Sequence, residues 1–233
     1  MAKKIGFIGV GNMAGAIIGG MTAEGGSVDF KDLVLYDCLP EKCEKFVSLG
    51  AAMADSESAV VEKSDVIILA IKPQGFSELL QKLSSAPSVK EKVFVTIAAG
   101  VTVKTIADAL SNPKIVRVLP NTPMLIGQGV SVICRSNTVD ADVFDFVVSM
   151  FQASGRVVLI DESEMNRMIS VTSSSPAYVF AFIKAICDGA ASQGLASDEL
   201  LSAVCDVVIG SAMLMKTGGK TPEEQISVVT SKG

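Results

Sequence analysis

The chain has 233 residues, 49% of them apolar, and 25 acidic against 20 basic side chains, for a formal net charge of −5. That length suits one large or two small domains, and an acidic balance without a basic block argues against a nucleic-acid partner. There is no histidine, which removes Ser-His and Cys-His nucleophilic schemes. Five scattered cysteines (Cys38, Cys43, Cys134, Cys187, Cys205) with no CxxC pair argue against a metal site and for a reducing, cytoplasmic setting.

The opening MAKKIGFIGV moves straight into a strand and leaves no room for a signal peptide. Short β-branched runs then recur at residues 4–10, 33–37, 65–71, 92–98, 114–120, 130–135 and 156–161, separated by helix-like stretches. Most are continuously apolar, as strands covered on both faces must be, and the alternation implies βαβ units in a parallel sheet. The longest clean runs, such as VIILAI, have strand length. None approaches the roughly 18 residues of a membrane span, so no membrane partner is expected.

The first run enters Gly9-Val10-Gly11-Asn12-Met13-Ala14, a G-x-G-x-x-A turn between a strand and a helix. The first glycine permits the tight turn and the second lets backbone approach a pyrophosphate. The small alanine lets helix and strand pack closely, and the phosphate sits on the free N–H groups of the helix start. Asp37 ends the second run, where a carboxylate accepts hydrogen bonds from the adenosine ribose and repels a 2′-phosphate. Glu57 lies in a stretch that approaches the same ribose. No arginine follows Asp37, and Lys42 and Lys45 lie further on along an expected helix. The balance favours NADH within an NAD(P)H site.

After Asp161 the strands stop. Residues 162–172 read as helix, and Ser175-Pro176 opens a long apolar helix that Gly194 ends. Ser197 opens the next, with Asp198 and Glu199 in its first turn, and Gly218 and Gly219 end it. Thr221-Pro222-Glu223-Glu224 is a capping box that starts a third. These helices carry apolar residues on nearly every face, so a partner subunit is expected to cover them.

Several stretches together resemble the pyrroline-5-carboxylate reductase family, in its order and at its spacing across the whole chain: FIGVGNMAGAII (7–18), SDVIILAIKP (64–73), IAAGV (97–101), RVLPNTP (117–123) with a following GQG, SPAYVF (175–180) and the terminal VTSKG (229–233). The glycine turn is generic, whereas the combination of the later stretches is specific. The resemblance implies an α/β fold: a Rossmann-type doubly wound sheet over residues 1–161, then an all-helical dimerisation and substrate domain over residues 162–233. It implies reduction of the cyclic imine of 1-pyrroline-5-carboxylate to L-proline, the last step of proline biosynthesis, with hydride from NAD(P)H. Such chemistry rests on positioning and electrostatics and suits a chain without imidazole.

The resemblance also implies site residues. Gly9, Gly11, Asn12, Met13, Ala14, Asp37 and Glu57 hold the cofactor's adenosine and pyrophosphate. Ala70, Lys72, Pro73, Ala98, Gly100 and Asn121 lie along the carboxyl edge of the sheet near the nicotinamide, with the Asn121 side chain expected on the carboxamide or ribose. Ser174, Ser175, Thr230, Ser231 and Gly233 bind the substrate, and Ser231 and Thr230 are the catalytic candidates. No metal is implied. Two departures stand out: Thr172-Ser173-Ser174-Ser175 replaces the family's Ser-Gly-Ser-Gly, and Lys232 replaces a proline. The family continues past Gly233, so the chain is expected to stop inside its substrate loop. Two alternatives accompany this reading. One is a nucleotide-binding relative without catalysis. The other is a β-hydroxyacid dehydrogenase-like oxidoreductase, against which stands the helix EMNRMISVTSSS, with Asn166 and Arg167 but no lysine one turn from the asparagine.

Overall fold

A computed structural model of the protein describes residues 3–112, 114–195 and 197–230. The chain forms two compact units, Met1–Pro176 and Ala177–Gly233. The first is an eight-stranded sheet in the order β3-β2-β1-β4-β5-β6-β7-β8. Its strands are β1 (Ile5–Ile8), β2 (Leu33–Tyr36), β3 (Ala52–Met53), β4 (Val66–Leu69), β5 (Val93–Thr96), β6 (Ile115–Leu119), β7 (Gly129–Arg135) and β8 (Gly155–Leu159). All seven apolar runs form strands. β3 is an addition, a two-residue pairing with β2 too short to read as a run.

One feature differs from an all-parallel sheet: β7 runs antiparallel to β6. Residues 120–128 between them form only a 3-10 turn, Thr122–Ile126, and a connection that short cannot return the chain for parallel pairing. The helix α6 (Ala141–Gln152) supplies the crossover that lets β8 pair parallel with β7.

Alternate strand residues divide the core into two layers. Ile5, Phe7, Val66, Ile68 and Val95 pack with α1 (Asn12–Met21) and α6. Ile67, Leu69 and Phe94 pack with α3 (Glu57–Lys63), α4 (Phe76–Leu83) and α5 (Val103–Leu110); α2 (Glu41–Val47) follows β2. The helices present apolar stripes at helical spacing, as in Phe76, Leu79, Leu80 and Leu83 of α4, all buried. A sheet covered on both faces leaves the carboxyl ends of its parallel strands as the open edge for a ligand.

Residues just past Asp161 stay with this unit. In α7 (Glu162–Met168) Met165 is fully buried with Leu119, Val132 and Cys134. The first compact unit extends through Pro176. Ser175 opens a long helix, as expected. A π-turn, Ile169–Ser173, carries α7 into α8 (Ser175–Ser192), with the Ser174 N–H on the Ile169 carbonyl at 2.8 Å.

The second unit is helical. Gly194, at φ +83°, ends α8, and the Leu195 N–H reaches back to the Ala190 carbonyl at 3.0 Å. α9 (Leu200–Thr217) starts three residues later than expected, because Ser197 Oγ accepts the Glu199 N–H and caps a turn that precedes it. Gly219, at φ +67°, follows its end. α10 (Pro222–Val229) has the expected capping box: Thr221 Oγ1 takes the Glu224 N–H at 3.2 Å and Glu224 takes the Thr221 N–H at 2.8 Å. The helices expose large apolar side chains, among them Tyr178, Phe180, Phe182, Val207, Ile209 and Leu214. The stretches Glu162–Ser192 and Leu200–Thr217 are long and apolar enough, by length and composition, to cross a membrane. A search for unbroken apolar runs misses this, because small polar residues interrupt the windows.

Candidate cofactor and active site

The glycine turn lies at the carboxyl end of β1. Gly9 adopts φ +94°, and a Cβ there would fall 2.7 Å from the Ala70 carbonyl oxygen, so the position requires glycine. The Gly9 N–H donates to the Tyr36 carbonyl at 2.8 Å, and the Ala70 N–H donates to Ile8 at 2.8 Å, which draws the ends of β2, β1 and β4 together. Gly11 caps α1, and a Cβ there would meet nothing within 4 Å. That open backbone precedes the first-turn N–H groups of Asn12, Met13 and Ala14, which have no intrahelical acceptor. The arrangement fits a pyrophosphate. Ala14 is buried against the sheet, as the motif requires. Gly11, Asn12 and Gly15 share a 640 Å³ groove with Lys45, Phe46 and residues 124–127.

Asp37 is nearly buried. Its Oδ2 accepts the Val10 N–H at 2.8 Å, and its Oδ1 accepts the Leu39 N–H at 3.0 Å and Lys42 Nζ at 3.2 Å. Burial alone would push its carboxyl up, but the two N–H donors and Lys42 together hold it below the ordinary aspartate value. The carboxylate thus locks the second residue of the glycine turn to the end of β2. Gly9, Tyr36, Asp37, Cys38 and Glu57 line a cavity of 180 Å³, which brings the two expected ribose carboxylates together. Glu57 is paired with Lys82, whose Nζ is 3.4 Å from Oε1.

Further along the same edge, Ala70 is half-buried, Ala98 is buried, and Lys72, Pro73 and Gly100 are exposed. Gly100 adopts φ +81°, with nothing within 4 Å of a Cβ. Pro73 and Gly100 line a separate 550 Å³ cleft with Phe76, Leu80 and Val101. Asn121 sits at the end of β6 with both polar groups used inside the protein. Its Oδ1 accepts the Val130 N–H at 2.8 Å, and its Nδ2 donates to the Thr172 carbonyl at 3.1 Å. Pro176 stands four residues after Thr172 and has no N–H to give that carbonyl, so Asn121 supplies the missing donor. Ser175 Oγ approaches the same carbonyl at 3.5 Å. Ser174 and Ser175 are half-buried beside this turn, and Ser173 Oγ is a buried hydroxyl without a partner.

In the second unit Thr230 is exposed, and its Oγ1 donates to the Ile226 carbonyl at 2.9 Å. Ser231 and Gly233 lie outside the described residues. Among those described, no three Asp, Glu or Cys side chains are grouped to hold a metal.

The sequence reading passed over one group. Arg117, in the middle of β6, is 1% exposed. Its Nη2 donates to Asn166 Oδ1 at 2.8 Å, and its Nη1 lies 3.4 Å from Glu162 Oε1, which also accepts the Val103 N–H at 2.6 Å. The guanidinium thereby ties β6 to α7 and to the start of α5. An arginine inside an otherwise apolar strand run was the available signal. Next to it on β7, burial pushes the Cys134 thiol up to about 11, with the Glu162 carboxylate adding to the shift and Arg117 opposing it.

A family model described as NADP oxidoreductase coenzyme F420-dependent matches residues 4–100, and one described as pyrroline-5-carboxylate reductase dimerisation matches residues 162–233. The chain is 34% identical to the pyrroline-5-carboxylate reductase of Escherichia coli (strain K12), over 100% of this chain and 87% of that protein. It is 31% identical to that of Arabidopsis thaliana, over 99% and 83% respectively. Among solved structures, the 1-pyrroline-5-carboxylate reductase of Streptococcus pyogenes matches with a TM-score of 0.87 and 27% identity, over 99% of this chain and 86% of that one. The pyrroline carboxylate reductase of Plasmodium falciparum with NADP bound shares the fold, with a TM-score of 0.89 at 24% identity, over 99% and 85%.

Proposed function

The chain belongs to the pyrroline-5-carboxylate reductase family, and from that premise we propose that it reduces 1-pyrroline-5-carboxylate to L-proline in an NAD(P)H-dependent reaction. The observation that carries the reading is the alignment at one sheet edge of the open glycine turn, the Asp37 lock, the left-handed Gly100 and the Asn121 corner. The cofactor supplies a hydride to the imine carbon, and a proton on the ring nitrogen completes the amine. The chain's part is to bind, orient and exclude water. Gly11 and the first-turn amides of α1 receive the pyrophosphate. Asp37 fixes Val10 so that those amides face outward. Glycine at position 100 leaves backbone open to a flat ring.

Ser174 and Ser175, and Thr230 with Ser231 and Gly233, are the groups we assign to the substrate carboxylate and ring nitrogen. The imine is already electrophilic, so hydroxyl and amide donors suffice for its orientation. The helical domain is a dimerisation domain, and self-association covers its exposed apolar side chains. A cytoplasmic enzyme with a small-molecule substrate, and with neither nucleic acid nor membrane as partner, completes the reading.

The test follows NADH and NADPH oxidation at 340 nm with pyrroline-5-carboxylate. Imine-dependent oxidation with proline as the product supports the reading. Cofactor binding without turnover would support the non-catalytic alternative instead.

A further inference from the structure

We propose that Glu162 is a positioning residue for hydride transfer: with Arg117 behind it, it ties the Gly100 loop to the helix that leads to Ser174 and Ser175. The inference deepens the reductase reading above and rests on it. Gly100, Val101 and Thr102 lead from β5 into α5, whose first residue is Val103. The start of that helix is capped twice. Thr102 Oγ1 accepts the Thr105 N–H at 3.1 Å, a local cap. The Val103 N–H is met from another element, by Glu162 Oε1 at 2.6 Å. Glu162 is the first residue of α7, and α7 runs through the π-turn to Ser174 and Ser175. One carboxylate oxygen therefore joins the loop assigned to the nicotinamide to the helix leading to the serines assigned to the substrate.

Arg117 fixes that oxygen. Its Nη1 lies 3.4 Å from Glu162 Oε1, and its Nη2 donates to Asn166 Oδ1, one turn further along α7, at 2.8 Å. In the sheet Arg117 stands opposite Thr96, the last residue of β5, after which the Gly100 loop departs. As a device for stability alone the group is poor. A buried guanidinium carries a large desolvation cost, and a well-packed apolar side chain in its place is often as stable. The cost is higher here, because Arg117 Nε is buried without a partner. What the charge network supplies, and an apolar side chain would not, is a fixed distance between two segments of the sheet edge. Hydride transfer needs that, since the reacting atoms must meet at about 3–3.5 Å and a small misplacement costs rate steeply.

The experiment is steady-state kinetics of the full chain with pyrroline-5-carboxylate and NADH, the latter also deuterated at the transferred hydrogen. Val103→Pro is the first variant. It removes the N–H at a helix position that accepts proline, after an extended Thr102, and leaves Arg117 and Glu162 paired. Its kcat should fall about tenfold or more while both KM values stay within about threefold, and its deuterium isotope effect on kcat should rise, because a looser approach slows the chemical step. Glu162→Ala should do the same, and adding Val103→Pro to it should cost no further rate, because the two residues act through one bond. Glu162→Gln keeps an acceptor for the Val103 N–H and should stay within about threefold of the wild type. A bond with a structural role alone would lower the unfolding midpoint and leave kcat and the isotope effect of the folded protein unchanged. That result for Val103→Pro overturns the proposal, as do additive losses in the double variant. A wild type that oxidises no NADH with the imine overturns the reductase reading itself, and the role of Glu162 falls with it.

Discussion

Asn121 donates its Nδ2 hydrogen to the Thr172 carbonyl at 3.1 Å, filling the place of the N–H that Pro176 lacks. The other end of the same amide accepts the Val130 N–H at 2.8 Å. One side chain thus fixes three things: the corner after β6, the start of β7, and the π-turn that leads into α8. Asn121→Asp keeps an acceptor for Val130 but turns a second oxygen toward the Thr172 carbonyl. The buried acceptor then has no amide donor, a cost of about 1–3 kcal/mol. Thermal unfolding should show a midpoint lower by several degrees, at roughly 2–4 °C per kcal/mol for a domain of this size. An unchanged midpoint would show that the Asn121–Thr172 bond contributes nothing.

Gly9 is the sharpest steric constraint in the cofactor turn. An alanine there takes a positive φ, of order 1–3 kcal/mol in strain, and pushes its Cβ into the Ala70 carbonyl at 2.7 Å. The turn must shift, and the Asp37–Val10 bond shifts with it. Gly9→Ala should lose more than tenfold in NADPH affinity and about 2 kcal/mol or more in stability. Gly11→Ala meets nothing within 4 Å and adopts an extended backbone, so its fold should tolerate the change while its nucleotide affinity falls. A denaturant melt paired with a cofactor titration separates the two cases. Equal destabilisation by both substitutions would contradict the geometry.

The strand runs, the glycine turn and the caps of the helical unit were legible because each is a local pattern: apolar runs, a G-x-G-x-x-A between strand and helix, a Thr-Pro-Glu-Glu box. The reversal of β7 was less so. It depends on the short span between two runs, and an apolar run looks the same in either direction. The roles of Asp37 and Asn121 were half visible. Their places at strand ends could be read, but the Val10, Leu39, Thr172 and Val130 groups that satisfy them come from elsewhere in the fold. The π-turn was hidden for a related reason. Ser-Pro reads locally as a helix start, which it is, and nothing in it announces the π-turn that precedes it or the Asn121 donor from a distant strand.

Arg117 and Glu162 make an asymmetric prediction. Arg117 is fully buried and Glu162 is about a third exposed. Glu162→Ala leaves a buried guanidinium with only Asn166 and strips the Val103 N–H of its acceptor, which should cost about 3–5 kcal/mol. Arg117→Met removes the charge and fills most of its volume. Glu162 keeps the Val103 bond, so the loss should be clearly smaller. Urea unfolding of the two variants orders them. A larger loss for Arg117→Met would mean that packing of the arginine stem, rather than the charge pair, holds β6 to α7.

Cys134 gives a pH dependence with a definite sign. Its folded thiol is pushed up to about 11, above the roughly 8.5 of an exposed cysteine. A raised value means that the folded state holds its proton longer. The stabilisation is complete below about 8.5 and fades as pH rises toward about 11. Cys134→Val should flatten the fall in unfolding free energy between pH 8.5 and 10.5. In the intact protein, iodoacetamide at pH 8.5 should modify the exposed Cys38 before Cys134. Early modification of Cys134 would show that β7 opens in the native state.

The helical unit decides between two environments for its apolar surface. Two of the chain's helical stretches pass a membrane test by length and composition, yet the matching family model is a dimerisation domain. Phe182, Val207, Ile209 and Leu214 are each more than half exposed. Burying such side chains contributes about 1.5–3 kcal/mol apiece when complete, enough for four or five of them to drive a stable subunit interface. Light scattering behind size exclusion, in detergent-free buffer at micromolar concentration, should therefore give a dimer or larger assembly. The double substitution Phe182→Glu with Val207→Lys should shift it toward monomer. Retention of the full assembly by that variant would place the interface on other faces. A wild-type chain that stays dispersed only with detergent would favour a membrane over a partner subunit.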